Sequence, residues 1–342
     1  MSYQEFKDKV YSYLIKYKKN DLNYDKPGES SRGVVHDCLF DKGDYEKEEL
    51  PLMLFEPCKV TVKEIQESDF AYKPHIQAFK HVASSQTACI NLFVPILESE
   101  YANEILKESG IAPKDFDHIM RGEEERLRKG YCFEYWRESK ENFSDTDKGL
   151  LGDHSLQAGT DSDVAIAYKD KDGKNCLWLI EHKLTEQEFT TCGAYRSKSI
   201  SKEERAHCTT CSINDILKDP DKCYYHKKCH YKYWEVTKQH ASFFTGNYSD
   251  DGCPFRGGMN QLWRNQMLAL KLEDNVTYDK VYFSVVTHPE NNFLDKSMEE
   301  YRKLTNNTPK FFTFKSNSLV NAAEKYLPDW TKWYKKVYYG IE

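Results

Sequence analysis

Residues 161–183 read DSDVAIAYKDKDGKNCLWLIEHK, and the reading of the whole chain works outward from them. Two apolar runs, DVAIAY and CLWLI, flank the turn-rich KDKDGKN, which is the pattern of a β-hairpin. With the turn centred on Asp172, positions 163 and 181 are equidistant from it, so the register sets Asp163 across from Glu181. Side chains alternate between faces along a strand, so Glu181 and Lys183 share a face while His182 points away. Converging carboxylates at one end of a sheet suit a hard divalent cation. A nearby ammonium suits holding or polarising a nucleophilic water.

The acid-x-lysine pair carries nothing by its spacing alone. In a chain that is 30% charged it recurs at Glu5/Lys7, Glu138/Lys140 and Asp172/Lys174. What separates Glu181/Lys183 is context: the pair closes the run Leu177, Trp178, Leu179, Ile180 and has an acidic partner placed by register. That context favours a catalytic site over a solvated strand end.

The 342 residues allow one large domain or two ordinary ones, and 39% hydrophobic residues with 14% aromatics predict a folded protein. No apolar run reaches the length of a membrane span, and MSYQEFKDKV has no signal-peptide profile, so a soluble, cytoplasmic protein is expected. A net charge of -6 argues against nonspecific coating of nucleic acid, yet leaves room for a local basic groove. Between Arg196 and Lys238 basic residues interleave with Tyr224, Tyr225, Tyr231, Tyr233 and Trp234, which suits either base stacking or an aromatic packing unit.

Along the chain, helices are expected over Tyr3–Lys18, about Lys73–Phe93 with Pro95 as the stop, Tyr101–Ser109 and Phe116–Lys129. The Lys73–Phe93 helix carries His81, Ser84, Ser85, Gln86 and Asn91, read as packing or capping residues. Glu123, Glu124 and Glu125 read as a solvated face. Tyr131–Arg137 alternates like a strand whose Glu134 either decorates an edge or turns toward the acidic pair. Thr185 with Glu188 makes a capping-box pattern, predicting a helix directly after the hairpin. Met259–Leu272 reads as a helix with an apolar stripe of Leu262, Met267 and Leu270, Asp279–Thr287 as a buried strand, and Trp333–Tyr339 as a docked helical tail. The implied fold is α/β, a mixed sheet flanked by helices. Its parts are an N-terminal helical and irregular extension (1–72), a core (73–300) holding a cysteine-rich insertion (190–252), and a C-terminal aromatic and helical extension (301–342).

Of the eleven cysteines, those at 38, 58, 89, 132, 176 and 253 are scattered and read as packing residues. Cys192, Cys208, Cys211, Cys223 and Cys229 fall in one segment with His207, His226 and His230, and the Cys208/Cys211 gap lets one turn present both sulfurs to a tetrahedral ion. A structural zinc held by four of these five is the leading expectation, with an iron–sulfur cluster as the competitor.

Taken together, Asp163 in DSDVAI, Glu181 and Lys183 in IEHK, and the element order resemble the PD-(D/E)XK, or restriction-endonuclease-like, nuclease superfamily. HVASSQTACINLF and the extension Thr185, Glu186, Phe189 look like a bacterial branch of it. The resemblance spans roughly residues 75 to 290 and departs from the superfamily name in having Thr160 or Ser162, not Pro, before the acids, with Asp161 a competitor for the role of Asp163. It implies an α-β-β-β-α-β core and magnesium-dependent hydrolysis of phosphodiester bonds, expected in DNA as an endonuclease of restriction or phage defence. Asp163, Glu181 and the His182 carbonyl would hold magnesium, and Lys183 would orient or help deprotonate the attacking water. Glu134 is a secondary catalytic candidate. Gln261, Arg264 and Asn265 lie on a helix that borders the site in related nucleases, which implies contacts to phosphate or bases, while helix surface and packing remain the favoured reading of each one alone. Cleavage of both strands at a palindrome would imply a homodimer. The contrasting class is a noncatalytic, zinc-stabilised module that binds nucleic acid or protein.

Overall fold

A computed structural model describes residues 1–67, 74–122, 127, 129–136, 148–155, 159–244, 252–275 and 277–342. A two-stranded ribbon, β1 (Gly28–Glu29) with β2 (Val35–His36), stands apart from a six-stranded sheet. That sheet comprises β3 (Phe116–Ile119), β4 (Tyr131–Tyr135), β5 (Ser162–Asp170), β6 (Asn175–Lys183), β7 (Lys280–Thr287) and β8 (Phe311–Lys315).

The β5–β6 hairpin has the register read from the sequence: pairs from Val164 opposite Ile180 to Lys169 opposite Asn175 are all equidistant from Asp172. Its turn is built by Gly173 at φ +78 and by Asp170 Oδ1, which accepts the main-chain N–H groups of Asp172 and Lys174, each at 2.9 Å. β4 pairs antiparallel with the first half of β5 and β3 with its end, while β7 runs parallel to β6 and β8 parallel to β7. The sheet is therefore mixed, with β6 near its middle.

Both faces of the hairpin are covered, which explains apolar runs without strict alternation. Val164, Ile166, Trp178 and Ile180 pack on the Ser85–Leu97 helix, the Tyr3–Asn20 helix and the C-terminal tail. Ala165, Ala167, Leu177 and Leu179 pack with the Asn260–Asp274 helix and with Tyr233, Trp234 and Phe255 from the cysteine-rich part. Trp178 is fully buried and its Nε1 donates to Ser284 Oγ at 2.7 Å, so it ties β6 to β7 as well as filling the core.

Several elements differ from expectation. The Lys73–Phe93 helix is two helices, Ile76–Lys80 and Ser85–Leu97, broken where His81 forms an isolated bridge with Leu39; Lys73 lies outside the described residues. Pro95 sits inside the second helix instead of ending it. The carbonyl of Asn91, which a residue with an N–H at position 95 would have capped, accepts Trp330 Nε1 at 2.9 Å. Phe116–Lys129 is not a helix at its start, because residues 116–119 pair with the end of β5; Glu123, Glu124 and Glu125 lie outside the described residues, as does Arg137 at the end of the β4 reading. No helix begins at Thr185. Its side chain bonds Tyr11, its carbonyl accepts the Tyr3 hydroxyl at 3.0 Å, and Asn291 Nδ2 binds the carbonyls of Leu184 and Glu186. Those tertiary bonds take the groups a capped helix would have used. Finally, the C-terminal stretch contributes β8 to the sheet, and its tail packs on the first helix, where Trp333 Nε1 donates to the Tyr17 hydroxyl at 3.1 Å.

All eleven cysteines are free thiols. Among the described residues no helix is long and apolar enough to cross a membrane.

Candidate active site

β5 begins and β6 ends at the same edge of the sheet, and this edge gathers the charged residues. Continuing the hairpin register by one pair sets Asp163 level with Glu181, and Asp163 Oδ2 accepts the main-chain N–H of His182 at 2.6 Å. Glu181 is 3% exposed. Its Oε1 accepts Gln261 Nε2 at 2.8 Å and lies 2.7 Å from Lys183 Nζ, while its Oε2 accepts Asn265 Nδ2 at 2.7 Å. The hairpin thus presents the acids and the Asn260–Asp274 helix holds one of them in place.

Glu134 joins from β4. Its neighbours Phe133 and Tyr135 pair with Val164 and Ser162, but Glu134 itself has φ +53, a left-handed kink that interrupts the ladder opposite Asp163. Its Oε1 accepts Gln86 Nε2 at 2.9 Å and its Oε2 stands 3.6 Å from His75 Nε2. Burial, then the charges of Glu181 and Glu134, push the Asp163 carboxyl well above the usual range. Burial, then Glu134 and Glu181, lift Asp161 to about 7, with Arg264 and His75 opposing. Lys183 remains a firmly held ammonium: burial opposes its charge, but Glu181, Glu186 and Asp163 outweigh that and raise its pKa.

The donor chemistry suits a divalent cation, although among the described residues these ligand atoms are not gathered within 4.8 Å of one another. Crowded carboxylates that resist ionisation in one another's presence are what a hard cation relieves, and all the side-chain donors here are oxygens. The His182 carbonyl accepts the Ser85 hydroxyl at 3.0 Å, and the same Oγ is 3.1 Å from His182 Nδ1. The His182 ring is buried on the opposite face and burial lowers its pKa to about 3.

Arg264 lies apart from Glu181. Its guanidinium bonds Tyr233 and faces Asp153 and Asp161, and its buried Nε has no hydrogen-bond partner among the described residues. Tyr233 in turn donates to Asp153 Oδ2 at 2.6 Å, a carboxylate that also accepts the Thr160 hydroxyl. Here a cleft of about 390 Å³ opens beside the acids, lined by Asp161, Thr190, Tyr225, Tyr231, Tyr233 and Arg264 among others.

A second acidic group sits at the far end of the same hairpin. Ligand atoms of Asp115, Asp170 and Cys176 all lie within 4.8 Å of one another, a candidate metal-binding group by spacing. Its carboxylates already have protein partners, however, which outweigh burial and hold both below the usual range. Lys280 Nζ lies 2.7 Å from both carboxylates, and the Tyr282 and Tyr168 hydroxyls donate to Asp115 at 2.9 and 3.1 Å. Burial, together with Asp170, pushes the Cys176 thiol up to about 12, so it is a poor thiolate donor.

Sequence reasoning named Asp163, Glu181, Lys183, Gln261 and Asn265, which the structure brings together, and Arg264, which it places on the adjoining cleft. It passed over His75 and Asp153, and read Ser85 and Gln86 as packing or capping residues and Tyr233 as a stacking or packing aromatic. Ser85 and Gln86 had a signal: polar residues at the start of an otherwise apolar helix. Of the cysteine candidates, Cys192 and Cys211 are buried, and Cys208, Cys223 and Cys229 are partly exposed.

No curated protein and no solved structure matches the chain significantly. A family model described as "Restriction Endonuclease associating with ARP" matches residues 17–339, nearly the whole chain, and the protein therefore belongs to that restriction endonuclease family.

Proposed function

We propose that the protein is a magnesium-dependent endonuclease that hydrolyses phosphodiester bonds in DNA, acting in restriction of foreign DNA, with its centre at Asp163, Glu181 and Lys183. The observation that carries this reading is the level pairing of Asp163 with a buried Glu181 that is itself ion-paired to Lys183. Family membership supports the reaction class, and the Asn260–Asp274 helix that holds Glu181 where β6 ends supports the same site.

Asp163, Glu181 and the His182 carbonyl would hold the cation, with the charges of Glu134 and Asp161 nearby. When bound, magnesium supplies positive charge that stabilises the developing phosphorane and the leaving 3′ oxygen. The chain's own groups do the positioning. Gln261 and Asn265 fix the Glu181 carboxylate, so its free lone pairs keep one direction. Lys183, anchored on Glu181, directs its N–H groups to a water or to a phosphate oxygen. Arg264 and the tyrosines of the adjoining cleft offer charge and ring faces to the strand on either side of the scissile phosphate.

The direct test incubates purified protein with plasmid DNA and magnesium. Cleavage by the parent chain that disappears in Asp163→Ala and in Lys183→Ala is the expected result. Undiminished cleavage in both variants would sink the assignment.

A further inference from the structure

The cysteine-rich part contains short helices that cannot account for their own order. The helices Lys202–Thr210 and Tyr224–Cys229 bury no residue, and the local apolar cluster is Cys192, Ala194 and Ile200. Ile213, Ile216, Tyr233 and Trp234 join the main core, but these two helices bury nothing of their own and gain from another source of folding energy.

Four cysteines converge in it. The Cys253 N–H donates to the Cys208 carbonyl at 3.0 Å, and Arg256 Nη1 donates to that same carbonyl at 3.1 Å. The Cys192 N–H donates to the Arg256 carbonyl at 3.2 Å. The Ala194 N–H donates to the Tyr225 hydroxyl at 3.0 Å, which ties the turn after Cys192 to the helix that Cys223 opens. Backbone bonds therefore knit four distant stretches around one point.

Cys192, Cys223 and Cys253 each open a short helix, Gly193–Arg196, Tyr224–Cys229 and Pro254–Arg256, and none of the three makes a side-chain cap hydrogen bond there. The Cys208–Cys253 main-chain bond, and Arg256 bridging Cys208 and Cys192, set these stretches side by side.

We propose that Cys192, Cys208, Cys223 and Cys253 are the four ligands of a structural zinc ion that staples this segment to the nuclease core. The four sulfurs are not gathered within the 4.8 Å that marks the Asp115 group, whereas a tetrahedral zinc–thiolate site has sulfur–sulfur edges of about 3.8 Å. Binding therefore draws the four stretches inward. Cys211 and Cys229 are left out for physical reasons. Cys211 packs in the apolar core with Ile213 and Trp234, and Cys229 ends its helix, where carbonyl groups disfavour a thiolate. The zinc also fixes a wall of the cleft, since Thr191 and Gly193 flank Cys192 and Tyr225 lies two residues after Cys223.

The experiment measures zinc in the full chain purified under reducing conditions without added metal, by elemental analysis, with no reference to cleavage. About one zinc per chain is expected, reduced roughly tenfold in Cys192→Ser, Cys208→Ser, Cys223→Ser and Cys253→Ser and retained in Cys211→Ser and Cys229→Ser. Because a ligand variant can misfold, the parent protein is also alkylated with and without a zinc chelator and mapped by mass spectrometry. Cys192, Cys208, Cys223 and Cys253 should be protected until zinc is removed, and Cys229 reactive throughout. Iron in place of zinc, a chain without metal, or a pattern in which Cys229 is protected and Cys253 is not would overturn the proposal.

Discussion

Asn265 Nδ2 donates to Glu181 Oε2 at 2.7 Å from a side chain that is 1% exposed, so a helix more than eighty residues downstream fixes the aim of the acid that closes β6. A hydrogen bond to a buried charge contributes about 1.5–3 kcal/mol, and loss of a residue that orients a metal ligand typically weakens the metal 10- to 100-fold. Asn265→Ala should therefore raise the magnesium concentration for half-maximal cleavage by roughly 10- to 100-fold. Gln261→Ala should do less, because Gln261 is partly exposed and water can replace it. A magnesium titration of cleavage checks both, and an unchanged midpoint in Asn265→Ala would remove the helix from the site.

The two acidic groups of the hairpin make opposite predictions. Each group sets two carboxylates against one lysine, but burial at Asp115 and Asp170 is outweighed by Lys280 and further hydrogen bonds, which hold both carboxyls below the usual range, whereas burial and neighbouring acids push Asp163 above it. Asp115→Asn and Asp170→Asn should keep magnesium-dependent cleavage, and Lys280→Met should lower the melting temperature without abolishing it. The ion pairs are partly open to water, so the stability loss should be about 1 kcal/mol rather than the value for a fully buried pair. Cleavage assays beside thermal melts decide the matter: loss of cleavage in Asp170→Asn with a normal melt would move the metal to the far end of the hairpin.

The hairpin was legible because its register depends only on the turn. Asp170, Gly173 and the symmetric apolar runs are all local, so Asp163 could be set opposite Glu181 without any knowledge of the rest. Elements that rest on distant partners were not legible. Residues 116–119 carry apolar positions at helical spacing but pair with a strand some fifty residues later, and Thr185 has a capping partner in sequence but finds Tyr11 in space. Glu134 stood between two readings until the kink at φ +53 and the bond from Gln86 turned it toward the acids. Cys253 looked scattered because its neighbours Cys208 and Cys192 lie dozens of residues before it.

His288 gives the fold a pH dependence of its own. It is 3% exposed, its Nε2 lies 3.0 Å from the Tyr338 carbonyl, and its Nδ1 accepts the Glu290 N–H at 3.2 Å, so both nitrogens are satisfied by the neutral ring. Burial lowers its pKa to about 4. A histidine depressed in the folded state contributes stability that is present above the unfolded value of about 6.5 and is lost as pH falls through 4. Between pH 7.5 and pH 5 this group should cost about 2 kcal/mol. Denaturant unfolding at the two pH values, compared with His288→Asn, isolates it from other titrating groups: the variant should lose less stability on acidification. Equal losses would show that His288 is protonated without penalty.

Arg264 separates substrate binding from chemistry. Its charge is held beside Asp161 by Tyr233 and Asp153, yet its buried Nε has no partner among the described residues, in a cleft that also presents Tyr225 and Tyr231. An unpaired guanidinium N–H in such a place suits a phosphate oxygen, which accepts in the plane of the fork. Asp163→Ala, expected not to cleave, supplies the background for measuring DNA binding at several salt concentrations. Adding Arg264→Met should weaken binding roughly tenfold and reduce the salt slope by about one. Arg264→Lys should restore part of the slope, because it keeps the charge, and little of the affinity, because a compact ammonium cannot reproduce the fork. If Arg264→Met leaves both affinity and slope unchanged while the melting temperature drops, the guanidinium serves only to brace Tyr233 and Asp153, and the phosphates lie elsewhere along the cleft.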